Sequence, residues 1–137
     1  METNTVSFIK IDAVRLAYLV LYITFIALPV IAGLDAFFNI LVSWDRYVAP
    51  FFPSIINVTP ELFIKGVGIL EIIIGLLITF QPRWGGYVLM VWFWLVVVNC
   101  IILGNYYDIT IDIFALSMAA LALAKLGEAF ETIQKGN

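Results

Sequence analysis

At 137 residues, 64% hydrophobic and only 12% charged, the chain carries far fewer charges than a soluble domain, where they make up about a quarter of all residues. Its net charge of -3, with no basic cluster, excludes a nucleic-acid-binding surface. With no histidine and one cysteine, Cys100, this chain cannot supply bis-histidine haem ligation, histidine metal sites, imidazole relays, disulfides or CxxC redox pairs.

The first apolar run covers residues 13–34 and exceeds the roughly 20 helical residues that cross about 30 Å of hydrocarbon. It is too long for a secretory signal, despite the small-residue spacing at Val30-Ile31-Ala32, and reads as a retained span. Arg15 stands near its start as a snorkelling anchor, with Tyr18, Tyr22, Pro29 and Gly33 on the same side. Residues 36–48 then place Phe37, Ile40, Leu41, Trp44, Tyr47 and Val48 at helical spacing, opposite Asn39, Ser43, Asp45 and Arg46. That pattern predicts an amphipathic helix lying in the outer interface. Pro50, Pro53 and Pro60 are expected to break any helix before the next span.

The second run, residues 62–80, carries Glu71 at its centre, and an acid at that depth is costly enough to mark a candidate site. Glu61, Gly68, Glu71, Gly75 and Thr79 share one helix face, which is expected to look inward because small residues let helices approach closely in lipid. Gln81-Pro82-Arg83 is so short a connection that the second and third runs must form an antiparallel hairpin. The third run, residues 84–103, offers Asn99 with Trp92 and Gly85 on one face, and the fourth spans residues 109–126. There Asp108, Asp112, Ala115, Ala119 and Ala122 form a second stripe expected to face inward, with Asp108 as helix N-cap. Trp84, Trp92, Trp94 and Tyr87 read as interface and packing aromatics, and Cys100 as packing.

Charge gives the orientation. Lys10, Arg15, Arg83, Lys125 and Lys135 fall at one set of ends, whereas only Arg46 and Lys65 fall at the other. The positive-inside rule therefore puts both termini in the cytoplasm. With about 1.5 Å of rise per residue, Glu71 and Tyr22 come out near the midplane, Asn99 above them, and Asp35, Asp108 and Asp112 at the outer mouth. The expected fold is all-α: one domain, residues 1–137, forming an integral membrane four-helix bundle with an interfacial helix between its first two spans. The expected site is a polar cavity open to the non-cytoplasmic side, drawn from Glu71, Asp112, Asp35, Asn99, Tyr22, Asp108 and Arg15, with no catalytic set and no metal ligands. The structural alternative is that Glu71 is protonated and bonded to Tyr22 or Asn99 as interhelical glue.

The succession Arg15, Gly33-Leu34-Asp35-Ala36-Phe37-Phe38, Gly68-Ile69-Leu70-Glu71, Pro82-Arg83-Trp84-Gly85 and Gly104-Asn105-Tyr106-Tyr107-Asp108-Ile109 resembles the DoxX-like family of small bacterial membrane proteins. The resemblance implies a four-helix bundle of the bacterial inner membrane. Some members are subunits of quinone-linked oxidoreductases, including thiosulfate:quinone oxidoreductase. This sequence departs from many relatives in having Ala36 where a lysine is common and Ile111 where a basic residue often precedes the position of Asp112.

Three functions follow, in this order. The first is an accessory subunit of a quinone-linked membrane redox complex, binding no cofactor of its own, with quinone as the candidate ligand and the bilayer and other membrane subunits or further copies as partners. The second is a free-standing protein that binds or transports a small ligand, a cation or a proton. The third, a self-sufficient enzyme, would have only carboxylate acid-base chemistry to draw on.

Overall fold

The computed structural model describes residues 2–136, with side chains from Asp12 onward, so the Lys10 ammonium expected at the cytoplasmic face lies outside the described side chains. Every regular element in this range is helical: α1 (Glu2–Phe38), a 3-10 turn (Trp44–Tyr47), α2 (Phe51–Ile55), α3 (Pro60–Phe80), α4 (Pro82–Leu103) and α5 (Tyr107–Lys135). Four helices, α1 from Asp12, α3, α4 and α5, are long and apolar enough to cross a membrane. Each expected span falls within one of them.

Local chemistry sets their ends. Thr59 caps α3, its hydroxyl accepting from the Leu62 N–H at 3.3 Å, and Pro60 occupies the first helical position, where a missing N–H costs nothing. Gln81 alone separates α3 from α4; its N–H bonds to Leu77 O and its carbonyl accepts from Gly85 N–H. At the far end of α4, Gly104 takes the left-handed conformation (φ 74°) and its N–H returns to Cys100 O and Ile101 O, a helix stop that a side chain would strain. Asn39 does the same after α1 at φ 49°.

Two expectations about the first connection are corrected. Residues 36–48 are not one amphipathic helix: α1 continues to Phe38, a loop follows, and only Trp44–Tyr47 turns again. The loop's N–H groups at Ile40, Leu41 and Val42 bond to the Asp35 carboxylate instead of to carbonyls one turn back, so a local side-chain acceptor outcompetes the helix. Pro50 and Pro53 do not exclude a helix either. They sit at the cap and in the first turn of α2, whose N–H groups have no intrahelical acceptor.

The chain runs up and down through α1, α3, α4 and α5, and the most extensive packing joins α1 to α3 and α4 to α5. Smaller contacts join α3 to α4 and α1 to α5. Phe25, Ile74, Ile78, Leu89, Phe93, Ala120 and Leu123 form the buried centre. Close approach depends on absent side chains: a Cβ on Gly68 would stand 2.7 Å from both Ala36 Cβ and Gly33 O. Outside this centre, Ile23, Ile73, Leu76, Val91, Leu95, Val98, Ile101 and Phe114 are exposed. A water-soluble monomer rarely carries a contiguous apolar surface of that extent, and the architecture is that of a multi-pass membrane protein.

Candidate functional site

α3 and α4 are tightest beside their connection, where a Cβ on Gly85 would meet Ile78 Cα at 2.6 Å. Toward their other ends a cavity of about 250 Å³ lies between them, lined by Phe63, Val67 and Glu71 from α3 and by Trp92, Leu95, Val96 and Asn99 from α4. Its remaining wall comes from the connection after α1, through Trp44, Tyr47, Val48 and Phe52. Glu71 is the one charged residue in this lining.

Each lining polar group has a definite position. The Trp92 indole N–H donates to Glu71 Oε1 at 3.3 Å, a long bond and the carboxylate's one hydrogen bond among the described residues. Helical spacing explains the pairing: the α3–α4 hairpin sets Glu71 opposite Trp92, while Asn99, two turns further along α4, lies beyond it. Asn99 is committed elsewhere. Its side-chain N–H donates to Tyr47 O at 2.6 Å and its carbonyl oxygen accepts from Ala49 N–H at 2.9 Å, fastening the connection to α4.

Asp35 is buried, with 5% of its surface exposed, and holds the same connection from the other side. Oδ1 accepts from Ile40 and Leu41 N–H, both at 2.8 Å, and Oδ2 from Val42 N–H at 3.0 Å and Trp44 Nε1–H at 2.9 Å. Four donors offset the burial of its charge. It borders a separate, wide apolar groove along α1 rather than the Glu71 cavity.

Of the residues predicted for one polar cavity, Glu71 and Asn99 line the same space and the other five do not. Tyr22 donates its hydroxyl to Thr79 O at 2.8 Å, about two turns along α3 from Glu71, because α1 runs antiparallel to α3 and Gly33, not Tyr22, lies against Glu71. The expected Tyr22 or Asn99 partner of Glu71 is therefore replaced by Trp92. Asp108, Asp112, Ala115 and Ala122 are exposed, so the stripe points outward except at Ala119, which is half-buried against the core. α5 packs instead through Thr110, Ser117, Ala120, Leu123, Ala124 and Gly127, which are buried. Asp108 is not the N-cap; Tyr106 is, in the left-handed conformation, and Asp108 lies within the first turn. Arg15 is exposed near the opposite end of the molecule.

The inward stripe of α3 is also divided. Gly68 and Gly75 pack against α1, whereas Glu71 reaches the cavity toward α4. The cavity is consequently aromatic rather than acidic. Trp92 and Asn99, seven residues apart, share a face of α4 by spacing alone, but no spacing links Trp44 and Tyr47 to that face; only the fold of the connection brings them to the same wall.

At the other end of the molecule, Arg83 pairs with Glu128 at 3.5 Å and Glu131 at 3.7 Å, and Lys125 pairs with Glu128 at 3.1 Å. These partly exposed pairs tie the α3–α4 turn to the end of α5 and form no enclosed site. No protein-family model, curated protein or solved structure matches the chain. The functional reading accordingly rests on this geometry.

Proposed function

We propose that the chain is a DoxX-like integral membrane four-helix bundle of the bacterial inner membrane, with both termini cytoplasmic, that holds a small lipophilic ligand between α3 and α4 in its non-cytoplasmic half. One observation carries this reading: a carboxylate, Glu71, borders a 250 Å³ aromatic-walled space with a single long hydrogen bond from Trp92. A carboxyl group serving only as interhelical glue would be consumed by its neighbours, as Asp35 is. Glu71 keeps an oxygen available. The apolar connection supports the placement, because Phe38, Ile40 and Leu41 are exposed by 68%, 79% and 69% and suit the interfacial layer.

The test is native mass spectrometry of the protein released from membrane-derived nanodiscs. Wild type is expected to retain a small molecule that Glu71→Gln loses while keeping its melting temperature. Retention of the same molecule by E71Q would overturn the proposal.

The second reading is an accessory subunit of a quinone-linked membrane redox complex. The outward stripe of α5 favours it: Asp112, Ala115 and Ala122 leave small and polar groups on a face this chain does not cover, suited to a neighbouring transmembrane helix. Copurification in gentle detergent with a flavin-, haem- or iron-sulfur-bearing partner is the expected outcome. A solitary chain under those conditions would count against it.

A further inference from the structure

The polar inventory of the cavity wall restricts what it can recognise. Trp44 Nε1–H is bonded to Asp35 at 2.9 Å, and both ends of the Asn99 amide are held by Tyr47 O and Ala49 N–H. Trp92 Nε1–H is on Glu71. Neither indole N–H is therefore free to meet a ligand, and the donors left in the wall are the second Asn99 N–H and the Tyr47 hydroxyl, which have no partner among the described residues. The one carboxylic acid of the wall is Glu71, surrounded by aromatic surface from Trp44, Tyr47, Phe52, Phe63 and Trp92, with no lysine or arginine in the lining to neutralise it. A carboxylate removed from bulk water favours an opposite charge beside it, and aromatic faces attract cations through their ring quadrupoles.

We propose that this cavity takes a lipophilic organic cation, a protonated amine or quaternary ammonium, with the charge against Glu71 and its apolar groups on the surrounding rings. The inference rests on the reading of the cavity as a ligand site. The volume, just under the roughly 300 to 1,000 Å³ of drug-sized pockets, suits a single ring bearing a small ammonium group. Lipophilicity follows from the outside of the same wall. Phe63, Val67 and Trp92 also border a mainly apolar groove with Leu62, Ile69 and Leu70, residues exposed on the face a bilayer would cover, and the one cation on that groove, Lys65, is paired with Glu61 at 2.7 Å.

The experiment titrates the full chain in detergent with benzyltrimethylammonium and with neopentylbenzene, in which carbon replaces the ammonium nitrogen, following tryptophan fluorescence and melting temperature. Wild type is expected to bind the cation at least about 30-fold more tightly than its neutral isostere, and E71Q to lose that preference. Phe52→Leu, in the short helix outside the spans, removes one ring face while keeping apolar bulk. It is expected to weaken the cation roughly two- to fivefold and leave the isostere unchanged, which provides a test even if E71Q does not fold. Equal affinity for both probes, or a cation preference that survives in E71Q, overturns the cation assignment while the ligand-site reading stands. Binding of neither probe to a folded wild type overturns both.

Discussion

A buried carboxylate, Asp35, and a half-buried one, Glu71, are engaged very differently by their neighbours. Asp35 accepts four hydrogen bonds from the connection it organises, whereas Glu71 accepts one. Replacing Asp35 by alanine leaves three backbone donors and one indole without acceptors, and is expected to destabilise the fold by about 2 to 4 kcal/mol. D35N keeps one oxygen and should fall between D35A and wild type. Melting temperature in detergent, with limited proteolysis across residues 39–44, checks both; a D35A protein that melts like wild type would show that the carboxylate does not hold the loop. The sequence marked Asp35, Glu71 and Asn99 as polar groups needing an explanation, but it could not apportion them. Which donors reach an acid depends on where a loop folds back, and the turn of residues 39–44 onto Asp35 has no periodic signature.

For elements, the legible part was length and hydropathy. Four spans, their order and the short α3–α4 connection follow from counting residues, because a bilayer fixes how many are needed. Facing direction was less legible. The stripe on α5 looked inward by its small residues, yet α4 packs on the opposite side, where Ser117, Ala120, Ala124 and Gly127 are equally small. Two small-residue faces on one helix cannot be ranked without the partner. On α3 the test is direct. Gly68→Val would drive its side chain into α1, with Ala36 Cβ and Gly33 O only 2.7 Å from the new Cβ, and should cost about 1 to 3 kcal/mol or prevent folding. Gly66, on the same helix, has open space where a Cβ would stand, with nothing within 4 Å, so Gly66→Ala should be tolerated or add about 0.5 to 1 kcal/mol through helix propensity. Equal melting temperatures for the two variants would contradict close α1–α3 packing.

At the scale of the whole molecule, the asymmetry of positive charge makes a topological prediction. A single cysteine at Ser54, in the exposed connection, should react with a membrane-impermeant maleimide in intact cells, and one at Lys135 should react only after lysis. The native Cys100 is buried and should remain silent. The reverse pattern would invert the protein in the bilayer and place the cavity on the cytoplasmic half. Packing carries a mechanical consequence as well. α1 with α3, and α4 with α5, make two firmly coupled plates, and the plates meet through slighter contacts along the line where Glu71 and Trp92 face one another. Whatever fills that space adds cohesion at the most compliant joint, so occupancy should stiffen both plates together and suppress amide exchange well beyond the residues it touches.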